Sequence, residues 1–324
     1  MKIWKYSLYA IVLLVLAGCA AAPVEEAPLA PEPAAEAPVM PGLAERGLSG
    51  NEFPRVRELA ENVYVFETIG RNYGTNSLIV VTSDGVLIAD GQGNPATVTR
   101  MIEEVGALTD QAIRYVVVAS EHGDHTGGNS AFPEGTTFIA HPNSQAALEA
   151  QANAPDRDAD ARPIIVPTET VSDSRTLMLG NTEIEILHLG RSHTGGDLMV
   201  YLPATGVLFM SESFFSGQFP ALRTGYAAEW IEALERAEAM DVSYYVPGHG
   251  FVDDTETLAG DVPQFRMAIE SVLAEATRLY DPEISAEDAF PEADFGTGAG
   301  RGTFGLFAPL AFERVWEEVA GNLD

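Results

Sequence analysis

Lysine and cysteine are almost missing from this chain. Of its 324 residues, 18 are Lys or Arg against 48 Asp or Glu, and the formal net charge is −30. Both lysines, Lys2 and Lys5, precede the first apolar run; without that leader 16 Arg face 48 acids, a charge of −32. A surface of that sign repels phosphate backbones and anionic headgroups, which argues against nucleic-acid binding by charge. The lack of lysine after residue 5 excludes Schiff-base chemistry and a lysine nucleophile. A single Cys excludes an internal disulfide and a Cys-rich zinc site. Hydrophobic residues are not scarce: at 46% of the chain they suffice for a sizeable core, so global disorder is excluded as well.

Residues 1–18 read as a targeting segment. Lys2 and Lys5 form a positive start, and Tyr9–Ala17 is an apolar run too short to span a bilayer comfortably. Leu16-Ala17-Gly18-Cys19 resembles the lipobox of bacterial lipoproteins, and the only Cys of the chain sits where that motif needs it. The resemblance implies cleavage before Cys19, lipidation of its thiol and attachment to a membrane. Ala20 follows, not Asp, which in Gram-negative lipoproteins favours the outer membrane, facing the periplasm or the exterior. The Pro/Ala/Glu-rich stretch after it has no periodic apolar face and cannot repay its ordering entropy, so residues 19–52 are expected to be a lipidated Cys and a tether.

From about residue 53 to 324 the sequence predicts one mixed α/β domain. Val63–Glu67, Ser77–Thr82 and Gly85–Asp90 read as strands, with a turn at Ser83-Asp84-Gly85. Asn94-Pro95 opens a helix to Leu108 that places Val98, Met101, Ile102, Val105 and Leu108 on one face. Tyr115–Ser120 is a continuous apolar run, hence a buried strand. Thr137–Ala140 is a short strand before a helix at Ser144–Asn153. Hairpins are expected around Gly180-Asn181 and between Leu198–Tyr201 and Val207–Met210. Helices follow at Ala227–Met240, with Trp230, Leu234 and Ala237 inward, and at Pro263–Tyr280 and Leu310–Val319, with a strand at Tyr244–Val246. Residues 283–308, rich in Gly, Phe and Pro, carry no readable period.

Four separated segments end apolar strands with metal-capable side chains. They are Ser120-Glu121-His122-Gly123-Asp124-His125, Ser192-His193-Thr194-Gly195-Gly196-Asp197, Ser211-Glu212-Ser213 and Pro247-Gly248-His249-Gly250. Imidazole nitrogen and carboxylate oxygen without thiolate suit zinc or a similar borderline divalent ion. Loop residues held only by hydrogen bonds are the plain alternative, and for Glu212 a surface Glu at a strand end. Four such segments in one chain favour the metal.

These residues resemble the metallo-β-lactamase-fold hydrolase superfamily. Its motifs are His-x-His-x-Asp-His after a buried strand, a His before Thr and Gly, an acidic bridging residue at a strand end, and a closing Gly-His; here they occur in that order over roughly 58–250. The resemblance also covers the Asp90-Gly91 turn. It implies an αβ/βα sandwich with metal at one edge between the sheets. Two departures stand out: Ser120 in place of the first His, and Glu212, one methylene longer, in place of the bridging Asp. Carried over, one site holds Asp124, His125 and His249, and the other keeps His122 and His193 with Ser120 as a poor third ligand. Glu212 could reach either. One tight Zn2+ and a second that is weak or absent are therefore expected.

The implied reaction is hydrolysis of an ester, thioester, lactone or amide, a β-lactam included, by a hydroxide that zinc generates and Asp124 orients. Substrate choice is expected in Ile69–Asn76, in the segment before Pro220, and near 295–308. The competing expectation is a degenerate, non-catalytic lipoprotein of this fold that binds a ligand or partner. His141 and His188 read as structural, and Arg191 as a salt-bridge residue sooner than a clamp for a substrate carboxylate.

Overall fold

Apolar runs, several of them buried along their whole length, build two sheets, and helices cover their outer faces. The computed structural model describes residues 40–323 apart from 159. The expected leader, Cys19 and most of the expected tether lie outside the described residues. Packing begins ahead of the expected boundary at 53: Met40 and Leu43 are buried against Phe251.

The first sheet holds β1 (Arg55–Ala60), β2 (Val63–Glu67), β3 (Asn76–Thr82), β4 (Gly85–Ala89), β5 (Ile113–Val118), β6 (Thr137–Ala140) and β7 (Glu169–Thr170), neighbours in that order. Pairing is antiparallel from β1 to β4 and parallel from β4 to β7. The helix α1 (Pro95–Leu108) crosses between β4 and β5, the short α2 (Gly123–Thr126) follows β5, and α3 (Pro142–Ala152) follows β6. Alternation along each strand sorts the core. Ile79, Ile88, Val116 and Val118 face the helical layer with Val98, Met101, Val105 and Leu148, while Leu78, Leu87 and Val117 face the second sheet. The Asn94 side chain caps α1 by accepting from the Thr97 N–H at 2.9 Å. Leu108 was expected on the buried face but lies in the last turn and is 39% exposed.

The second sheet has the order β12-β11-β10-β9-β8, from β8 (Ser174–Leu179), β9 (Thr182–Leu187), β10 (Met199–Leu202), β11 (Val207–Phe215) and β12 (Tyr244–His249). Its strands pair antiparallel except β11 with β12. Helix α4 (Ala227–Glu238) supplies the fully buried Trp230, Leu234 and Ala237. Then come α5 (Thr255–Leu279), α6 (Ala286–Ala289) and α7 (Phe304–Val319). The result is the expected α/β sandwich with helices on both outer faces.

Two helices start earlier than expected. α5 begins at Thr255 and α7 at Phe304, not at Pro263 and Leu310, so Pro263 and Pro309 lie inside them. In α5 the start is set by Asp254, whose carboxylate accepts from the Thr257 N–H at 2.9 Å, and Leu258 and Val262 are buried ahead of the proline. The unassigned stretch 283–308 is held by ring contacts instead of periodicity: Phe295 meets Phe290, Phe304 and Phe312 at 5.7–6.2 Å between centroids. Among the described residues no helix is long and apolar enough to cross a membrane.

Candidate metal centre

The four histidine- and carboxylate-bearing segments converge at one end of the sandwich. His122, Asp124 and His125 follow β5, His193 lies between β9 and β10, Glu212 is in β11, and His249 ends β12. β11 runs five residues past the expected Met210, and β12 three past Val246; those extensions carry Glu212 and His249. The two strands approach closely there, because a Cβ on Gly248 would stand 2.4 Å from the Ser211 carbonyl group. Only glycine permits that approach.

Two donor groups share Glu212. Asp124, His125, Glu212 and His249 form one, and His122, His193 and Glu212 the other, each with its donor atoms within 4.8 Å of one another. Glu212 Oε1 lies 3.2 Å from His249 Nε2, 3.2 Å from His193 Nε2 and 3.7 Å from His125 Nε2. Its Oε2 lies 2.9 Å from His122 Nδ1. Asp124 Oδ2 is 3.4 Å from His249 Nε2. His125, His193, Glu212 and His249 are buried, whereas the Asp124 side chain is 39% exposed at the mouth.

Neighbouring groups orient the imidazoles. His125 Nδ1 lies 2.8 Å from Asp90 Oδ2, and His249 Nδ1 lies 2.9 Å from the Gly74 carbonyl. Both acceptors demand a proton on Nδ1, which leaves the Nε2 lone pairs facing each other at 3.2 Å. Two lone pairs so placed require a cation between them. Burial works against charge on His125, yet Asp90, Glu212 and Asp124 outweigh it and push its pKa up to about 10. Burial would likewise raise the Glu212 carboxyl, but His193, His125 and His122 hold it well below the usual carboxylate range. The Asp197 carboxylate braces the His193 loop, accepting from the Thr194 N–H at 2.6 Å and the Ser192 hydroxyl at 3.1 Å. Burial pushes Asp197 up to about 6. Nitrogen and oxygen donors without sulfur, two of them with fixed tautomers, fit zinc.

Residues 70–249 match the model of the metallo-beta-lactamase superfamily. The chain belongs to that superfamily. A metallo-beta-lactamase type 2 of Bacillus cereus is 26% identical over 210 residues, 61% of this chain and 77% of that protein. Among solved structures, a metallo-beta-lactamase from Pontibacter korlensis aligns with a TM-score of 0.54 at 20% identity, covering 64% of this chain and 98% of that one. The inverting sec-alkylsulfatase Pisa1 from Pseudomonas sp. aligns with a TM-score of 0.67 at 13% identity, covering 83% of this chain and 50% of that one. Membership makes the protein a metal-dependent hydrolase in general terms.

In this superfamily member a cleft of about 210 Å³ opens over the donors, lined by Tyr73, Asp124, Gln218, Arg223, Phe307 and Leu310 among others. Each of the three stretches expected to shape substrate choice sends one side chain there: Tyr73, Gln218 and Phe307. Tyr73 packs edge-on against His249 at 4.8 Å. Arg223 and Leu310 had no signal in the sequence. Asn72 lines a different hollow, beside Phe251 and Leu306. Arg191 pairs with Glu229 at 3.0 Å and lies over the Tyr226 ring at 3.9 Å, so it is the salt-bridge residue and not a clamp. His141 caps α3 through the Asn143 N–H and stacks on His188 at 4.2 Å. Ser120 is fully buried, and its hydroxyl donates to Glu212 Oε2. Asp90 was visible in the sequence only as part of a turn, yet it accepts from His125, Ser211 and the backbone N–H groups of Ala119 and Ser120.

Proposed function

We propose that the protein is a membrane-tethered hydrolase of small-molecule esters, thioesters, lactones or amides, β-lactams included, with its tight zinc in the Asp124/His125/Glu212/His249 group. The observation that carries this is the donor cluster at the floor of a cleft, with one carboxylate, Asp124, turned to the open side. When bound, the metal supplies Lewis acidity to the attacking water and to the group under attack. Asp124 is placed to orient the nucleophile and take its proton. Tyr73, Phe215 and Phe307 line the cleft with ring surface that would limit access of water to a bound substrate. Arg223, on the rim, has no ion-pair partner among the described residues and would hold an anionic group of the substrate.

A panel of nitrophenyl esters, a thioester, a lactone, a cephalosporin and an alkyl sulfate tests this reading. At least one is expected to turn over with zinc and to stop with chelator; no turnover on any, with zinc bound, would favour a ligand-binding protein. On an anionic substrate, Arg223→Ala is expected to raise KM about tenfold with little change in kcat.

The tether rests on the leader, on Cys19 as the only cysteine and on the Pro/Ala/Glu-rich stretch. Cys19→Ser is expected to abolish incorporation of labelled fatty acid and to move the protein from the membrane to the soluble fraction. Label retained in that variant would overturn lipid anchoring at Cys19.

A further inference from the structure

Among the described residues Glu212 is the one carboxylate shared by both donor groups, and its two oxygens point differently. Oε2 faces His122 at 2.9 Å, while Oε1 sits 3.2 Å from both His193 and His249. A glutamate has three side-chain torsions, so something must fix this carboxylate in place. The Ser120 hydroxyl donates to Oε2 and, as an acceptor, lies 3.3 Å from the His122 backbone N–H. Ser120 lies two residues past the end of β5 and is fully buried, and Glu212 is 3% exposed in β11 on the other sheet. The contact therefore joins the two sheets at the floor of the site.

We propose that Ser120 is a positioning residue and not a metal ligand: it fixes the Glu212 carboxylate so that each donor group receives a carboxylate oxygen. Serine and glutamate are matched in size. The short side chain leaves the space into which the longer one reaches, and the hydroxyl then serves the carboxylate. The His122/His193/Glu212 group gains a charged third donor through this contact, and the chain holds two zinc ions instead of one. A larger residue at 120 must displace Glu212, and a shorter acid at 212 must leave Ser120.

The test titrates zinc into the full, metal-stripped chain in detergent by calorimetry, and follows cobalt(II) uptake by its visible absorption bands. The wild-type chain is expected to take up two ions in two phases. Ser120→Ala should weaken the second phase by about 10- to 100-fold and change its cobalt spectrum, with the first phase nearly unchanged. Ser120→Thr, which keeps the hydroxyl, should retain both phases. Glu212→Asp and Ser120→His should each lose the second ion, and the double variant S120H/E212D should regain it, a coupling that additive effects would not produce.

A wild-type chain that binds one ion overturns the proposal. So does S120A that binds both ions as the wild type does, or S120H that keeps both with Glu212 unchanged. Failure of every variant and of the wild type to bind metal would overturn the metal-centre reading itself. Melting temperatures of the metal-free variants separate misfolding from loss of ligands, and S120T keeps the outcome decisive if S120H does not fold.

Discussion

Replacing His249 by alanine is expected to cost the protein its tight zinc, with an affinity loss of more than about 100-fold and no hydrolysis left on any substrate that the wild type turns over. The reason lies in the pair of Nε2 atoms. Asp90 and the Gly74 carbonyl hold protons on the Nδ1 atoms of His125 and His249, so the facing lone pairs, 3.2 Å apart, need a cation. In the metal-free protein a proton on His125 fills that need, and Asp90, Glu212 and Asp124 push its pKa up to about 10 against the effect of burial. Zinc must displace this proton. Its apparent affinity should therefore rise by about tenfold per pH unit up to roughly pH 10, with one proton released per ion bound. The raised pKa also fixes the sign of the stability change. Protonated His125 stabilises the metal-free fold fully below its unfolded value near 6.5, and that contribution is lost as the pH climbs through about 10. Thermal melts from pH 6 to 10 check this: the metal-free chain should weaken toward alkaline pH while the zinc-loaded chain does not. Uptake of zinc by His249→Ala with wild-type affinity would place the tight ion elsewhere.

How far such a site can be read in a sequence depends on whether its signal is local. The apolar run up to Ser120 and the motif after it are adjacent in the chain, so His122, Asp124 and His125 were legible together, and His193, Glu212 and His249 each stood out beside a short local motif of their own. The continuous apolar runs of β3 and β4 and the capped start of α1 were legible for the same reason: composition and capping act over a few residues. The starts of α5 and α7 were not, because a proline within a helix and a proline that opens one look alike until burial decides between them. Leu258 and Val262 settle it for α5. The wall of the cleft was the least legible part. Phe307 lies past a stretch held by Phe290, Phe295 and Phe312, and ring clusters have no period. The Ser120–Glu212 contact spans 92 positions. The sequence displays both unusual residues, but only the fold shows that they answer each other.

Asp90→Asn should be as damaging as loss of a ligand, although Asp90 lies outside both donor groups. Asp90 adopts a left-handed backbone with φ 62°, a conformation that asparagine tolerates, so the substitution tests chemistry and not shape. Oδ1 accepts from the backbone N–H groups of Ala119 at 2.8 Å and Ser120 at 3.3 Å. Oδ2 accepts from His125 Nδ1 and from the Ser211 hydroxyl. An amide has one accepting oxygen. If it keeps the backbone pair, its NH2 group faces His125 Nδ1, which must then give up its proton and accept. The imidazole changes tautomer, Nε2 carries the hydrogen, and the lone pair that zinc requires is gone. If the amide flips, two backbone donors lose their acceptor in the buried floor beneath β5, at about 1–3 kcal/mol each. Either way the variant should bind zinc about 10- to 100-fold more weakly in the Asp124/His125/Glu212/His249 group. Its zinc-loaded melting temperature should fall further than its metal-free one, because the loaded form loses ion affinity as well as hydrogen bonds. Calorimetric zinc titration and paired melts measure both quantities. Wild-type zinc affinity in Asp90→Asn would mean that His125 keeps its tautomer without this carboxylate, and that the preference comes from the metal and not from the protein beneath it.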